Sequence, residues 1–143
     1  MPLVIVHAAA TWFMTGLIWF VQVVHYPLFA EVGEDAFKPY EHAHQRRTTW
    51  VVAPVMLIEA ASAMLLVTPL AHAASPTLAW TGVALLVVVW LSTFLLQVPL
   101  HAVLERTGSK QAMRRLVLTN WIRTLAWTAR AVIAGSMLLA LRA

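Results

Sequence analysis

Two stretches of the chain end an apolar run in the same way. "FVQVVHYPLFAEVG" (20–33) carries Gln22 and His25, and "LLQVPLHAVLERTG" (95–108) carries Gln97 and His101. A third histidine, His44, stands three residues before Arg47, and Asn120 stands three before Arg123. Histidine moves protons near neutral pH and is the commonest metal ligand. Arginine holds anions, from a headgroup phosphate to a developing oxyanion. Two guanidinium groups beside a metal cation repel it unless an anion joins them. The set therefore reads two ways. His25, His44 and His101 are candidate metal ligands. Alternatively, His25 or His101 moves a proton while Arg47 and Arg123 stabilise an anionic substrate. Structural readings stand beside both: histidines at a helix end can bond to headgroups or backbone, and Arg47 can snorkel to the membrane surface.

Composition says what must position these residues. Apolar residues make up 61% of the 143 and charged residues 11%, with a mean hydropathy of +0.76. A soluble domain carries about a quarter charged residues, so the chain is expected to be an integral membrane protein of one domain, residues 1–143. Four segments have the roughly 20 apolar residues a spanning helix needs: Leu3–Phe29, Thr48–Leu70, Thr77–His101 and Val117–Leu141. Short links make successive helices antiparallel, giving an all-α, four-span up-down bundle. The polar stretch "AEVGEDAFKPYEHAHQRR" is expected to be a short interfacial helix, and "AHAASP" a tight turn. Pro54 and Pro99 fall inside spans and are expected to kink them, while Pro27 helps end the first.

Lys38, Arg46, Arg47, Arg106, Lys110, Arg114 and Arg115 fall on one side of this bundle and only Arg142 on the other. The positive-inside rule places the first group in the cytoplasm of a multi-pass inner-membrane protein, with both termini outside. The opening "MPLVIVHAAA" has no basic residue to start a signal peptide. The partner implied is the bilayer. No basic stretch forms a phosphate-binding face, so nucleic acid is not expected.

A shift of 76 positions puts His25 on His101, His44 on Asn120, Arg47 on Arg123 and Thr48 on Thr124. If these matches mark a repeat, the two helical hairpins are parallel copies about an axis along the membrane normal, with both histidines and both arginines facing each other at the cytoplasmic end. Helical spacing agrees. Thr11, Thr15, Gln22 and His25 share one stripe; Trp90, Thr93, Gln97 and His101 a second; Asn120, Arg123, Trp127 and Arg130 a third. Such stripes turn away from lipid. Gln22, Gln97, Asn120 and Trp127 become candidate substrate contacts. Trp12, Trp19 and Tyr26, seven apart, could pack helices or floor an aromatic pocket.

Glu59 and Arg130 lie near mid-membrane, and an inward ion pair is the simplest way to offset their insertion cost of about 2.5–3.5 kcal/mol each. The cofactor stays open between none, iron, copper and haem. A bis-histidine haem between His25 and His101 would need room for its ring. With no cysteine there are no thiolate sites. No Ser-His-Asp set, phosphate-binding glycine loop or HExxH motif occurs, and one carboxylate within the spans is too few for a di-iron bundle.

"TGLIWFVQVVHYPLF", "HAHQRRTTWVVAPVMLIEA" and "NWIRTLAW" together give a layout that resembles the anthrone oxygenase-like family of small four-helix membrane proteins. The resemblance implies oxygen insertion into polycyclic phenols without an obvious cofactor. It implies functional roles for His25, His44, Arg47, Trp50, Asn120 and Arg123. The expected function is an oxidoreductase acting on a lipophilic phenolic or quinone-like molecule taken from the membrane. The alternatives are a solute transporter or accessory subunit, which with four spans would need a homo-oligomer, and a metal- or haem-binding protein.

Overall fold

In a computed structural model that describes residues 1–68 and 75–141, helices follow one another with only short links. Helix α1 is Pro2–Glu31, α2 is Glu34–Leu66, α3 is Pro76–Thr107 and α4 is Lys110–Ala140. The turn "AHAASP" up to Ala74, the end of the second expected span and Arg142 lie outside the described residues. The first three helices are long and apolar enough to cross a membrane. On α4, Asn120, Arg123 and Arg130 lower the hydropathy, yet all three are buried, and its outer face exposes Leu118, Leu125, Val132 and Leu139.

Pairwise contacts fix the directions. His7 meets Ser62 and His25 meets His44, so α1 and α2 run opposite ways. Gln22 meets Asn120 while Trp12 meets Ala131, so α1 and α4 are antiparallel. Gln97 meets Thr119 and Arg130 meets Gly82, so α3 and α4 are too. The result is an antiparallel four-helix bundle. Lipid offers no hydrophobic drive between helices, so close approach of small residues matters; Ala8, Ala63, Ala79, Ala126 and Ala134 are buried at the contacts. Three apolar layers stack along the axis: Val4, Leu66, Ala79 and Met137 at one end, Met14, Ile18, Met56 and Trp127 in the middle, and Tyr26, Phe29, Phe37 and Leu104 at the other.

Two expectations need correcting. The interfacial helix is not separate: α2 is continuous through Pro39 and Pro54. Helix α1 does not stop at Pro27 but continues to Glu31. Instead of breaking their helices, Pro27 and Pro99 each follow a widened turn, Val21–His25 and Thr93–Gln97. A proline has no N–H for the carbonyl four residues back, and its ring pushes that carbonyl aside. Those carbonyls belong to Val23 and Leu95, at the centres of the two wide turns. Gly108 then ends α3 with φ 64°, a left-handed conformation that glycine adopts at no steric cost, and Ser109 caps α4 by accepting from the Ala112 N–H.

Candidate functional site

A wide turn adds one residue to the helix and rotates the residues beyond it by about 100° relative to a regular helix. Within the turn of α1, Gln22 meets α4, where its amide donates to the Val117 carbonyl at 3.1 Å and its oxygen accepts from Asn120 at 2.9 Å. Just beyond, His25 and Tyr26 turn to α2 and α3. In α3 the Gln97 amide donates to Thr119 at 3.0 Å, and His101 comes round to face α2.

There His101 Nδ1 lies 2.5 Å from Oε1 of Glu41, a carboxylate with no exposed surface. His101 Nε2 lies 3.1 Å from the Tyr26 hydroxyl; the tautomer with hydrogen on Nδ1 would donate to an ionised Glu41 and accept from Tyr26. The Gln45 amide also donates to Glu41, at 3.2 Å, and to Glu105, at 3.2 Å. Glu105 in turn meets the exposed His42 at 2.7 Å. On the other side His25 Nε2 stands 2.9 Å from His44 Nδ1, which the Thr48 hydroxyl also approaches at 3.1 Å. The rings of His44 and His101 are 5.4 Å apart.

Arg123 enters this region from α4. Its guanidinium rests over the Trp127 ring, 5.3 Å from the centroid. It is 8% exposed, and among the described residues no carboxylate pairs with it. Its Nε has no hydrogen-bond partner there, and the Tyr26 phenol is the polar group beside it. Arg123, Tyr26, His44, Gln45, Gln97 and His101 line the polar end of a 380 Å³ cavity. Apart from Thr48, Thr49 and Thr93 the rest of the lining is apolar, including Met14, Ile18, Met56, Trp90 and Phe94. All four helices line the cavity, and its exposed lining residues, Thr49, Leu57, Phe94 and Val98, belong to α2 and α3.

Glu59 and Arg130 meet at 3.0 Å, both fully inside. Thr11 and the Trp127 indole each donate to Glu59 at 3.0 Å, and Arg130 donates to the Gly82 carbonyl. The pair is enclosed by donors and acceptors from all four helices, the arrangement of a tie.

The structure sorts the residues expected from sequence. His44, His101 and Arg123 line one cavity, and His25 bonds to His44 from the neighbouring groove. Gln97 reaches the cavity, whereas Gln22 and Asn120 bond to each other and lock α1 to α4. Trp127 supports Arg123 and Glu59 from behind. Two residues fall elsewhere. Trp50 is 78% exposed and faces outward. Arg47 does not join Arg123; it opens on a second groove, between α1 and α2, with Phe20, His25, Tyr40 and His44. The reason is helical phase: Thr48, four residues after His44, shares its inward face, while Arg47 is turned about 60° the other way. Trp12 and Trp19 line neither the cavity nor the second groove; their indoles donate to Ala131 and Thr128 on the bundle's outer side.

The sequence alone assigns no role at the site to Glu41 and Gln45, and offers Tyr26 only for helix packing or a pocket floor. Glu41 makes the bundle's interior hold two carboxylates, not one. Its signal lay in spacing: it stands three residues before His44 and four before Gln45, on one helical face. Reading the segment as an interfacial piece hid that phase.

Metal and haem were tested against this donor set. His25 and His44 face each other, and both His101 nitrogens are engaged by Glu41 and Tyr26. Among the described residues no three or more His, Cys, Asp or Glu are disposed to hold a metal ion. The His44 ring packs against His25, 4.7 Å between centroids, and against His101, in the space a porphyrin between His25 and His101 would need. No protein-family model, curated protein or solved structure matches the chain.

Proposed function

We propose that this is a four-span membrane protein that takes a lipophilic molecule with a weakly acidic hydroxyl, phenol- or quinol-like, from the bilayer and holds it as its anion, as the first step of an oxidation. The observation that carries this reading is Arg123: a buried guanidinium without a carboxylate partner, lining a largely apolar cavity. A bare buried charge is costly, and a hydrogen-bonded anion is what would offset it. The apolar lining suits a ring system, and the gap between α2 and α3 suits lateral access. His101, hydrogen-bonded to Tyr26 at the cavity wall, supplies proton transfer. An electron-rich phenolate is more readily oxidised than its phenol, which favours the oxidoreductase class.

Helix α4 spans with the other three in this reading, because it lies antiparallel between α1 and α3 and shows lipid an apolar face. The basic end faces the cytoplasm.

The test uses 1-naphthol, whose anion absorbs at longer wavelength than the neutral form. Protein in lipid nanodiscs should bind it at neutral pH and show the anion's spectrum. Arg123→Gln should weaken binding by about 10- to 100-fold, the worth of a hydrogen bond to a charged group, and show only the neutral spectrum. Equal binding by the variant would sink the reading. Oxygen uptake with a hydroxyanthrone probe tests the oxidation itself.

A further inference from the structure

Holding an anion raises the question of where its proton goes, and that rests on the proposed anion-holding function. Glu41 has no exposed surface, its Oε2 has no partner among the described residues, and it sits behind His101 rather than in the cavity. A carboxylate buried this deeply is costly to keep and is not needed to join helices already tied by Glu59 and Arg130. The three groups also stand in line: the Tyr26 hydroxyl is 3.1 Å from His101 Nε2, and His101 Nδ1 is 2.5 Å from Glu41, so with Glu41 ionised His101 donates to it and Tyr26 donates to His101.

We propose that Tyr26, His101 and Glu41 form a proton-accepting relay, with Glu41 as the internal store for the proton that the ligand loses at Arg123. In one step the ligand O–H bond breaks and its proton goes to the Tyr26 oxygen. The Tyr26 proton passes to His101 Nε2, and the His101 Nδ1 proton passes to Glu41. The products are a ligand anion beside Arg123 and a neutral carboxylic acid at Glu41; Tyr26 and His101 end neutral. One negative charge enters the cavity as one leaves Glu41, so the buried site gains no charge. That matters where each added charge meets little solvent. The Gln45 amide donates to Glu41 and to the rim residue Glu105 and so stands between the two carboxylates. It keeps the stored proton from the exposed Glu105–His42 pair until the amide turns aside. Tyr26 and His101 would touch the ligand. Glu41 acts through His101.

Infrared difference spectra on adding 1-naphthol to the nanodisc-held protein test this directly. Wild type should gain a protonated-carboxyl C=O band together with the naphtholate absorbance, while a pH dye in the medium registers no release. Glu41→Gln should bind neutral naphthol, with neither band nor anion, and Glu41→Asp should restore part of both. Tyr26→Phe, which leaves the Glu41–His101 contact in place, should also lose the anion, and it serves if Glu41→Gln does not fold. Naphtholate formed equally by Glu41→Gln, with its proton appearing in the medium, would overturn the relay while leaving the role of Arg123 intact. Failure of wild type to bind naphthol would remove both.

Discussion

Arg123 and Arg130 stand two turns apart on the buried face of α4 and meet opposite circumstances. Arg130 has Glu59 and a backbone carbonyl, and Glu59 accepts in turn from Thr11 and Trp127. Arg123 has an aromatic ring and an open cavity. Removing one partner of a buried pair leaves the other charge exposed to a dry interior, so Glu59→Gln should cost about 3–5 kcal/mol of stability. Replacing both, as Glu59→Leu with Arg130→Met, should recover most of it; thermal unfolding in detergent measures each. Arg123→Leu should do the reverse, raising the unfolding temperature while abolishing phenolate binding, as expected of a residue kept for function against stability. The partnership of Glu59 and Arg130 was legible from depth alone, since each needed an opposite charge and no other lay so deep. The separation of Arg47 from Arg123 was not, because their shared "x-x-R-T" context in "HQRRT" and "NWIRT" says nothing about phase against neighbouring helices.

Among elements, the wide turns before Pro27 and Pro99 set the rotation of the later residues of α1 and α3. Pro99→Ala restores the missing N–H, and the turn at Thr93–Gln97 should relax toward regular helix, rotating His101 by about 100° out of reach of Glu41. The expected outcome is a folded protein that binds naphthol without deprotonating it. Retained naphtholate absorbance would show that the turn holds without its proline. Gly108→Ala should cost roughly 1–2 kcal/mol through its left-handed backbone, read as a lower unfolding temperature with unchanged ligand spectra. Apolar runs announced all four helices. They did not announce that α2 begins at Glu34, because proline and a polar composition both argue for a break there. Tertiary packing of Phe37 and Glu41 against the other helices carried the helix across it. With that continuity hidden, Glu41 had no visible place on an inward face.

For the whole molecule, the basic residues cluster at the end of the bundle that holds the site. The absence of cysteine makes orientation simple to read. A single Lys110→Cys should react with a membrane-impermeant maleimide only in inverted vesicles, and Thr77→Cys only in intact cells stripped of their outer barrier. The opposite pattern would place the site on the outer face. Labelling both from one side would show that α3 does not cross.

In the proposed function, entry of the ligand between α2 and α3 also changes what affinity means for this protein. A ligand arriving sideways is dissolved in lipid, and the protein samples its mole fraction in the bilayer, not its aqueous concentration. Binding curves plotted against total ligand should then shift when only the amount of lipid is changed. Adding empty vesicles should strip the protein as efficiently as dilution, and hydrocarbon-rich relatives of a given phenol should seem to bind more tightly simply because the membrane collects them.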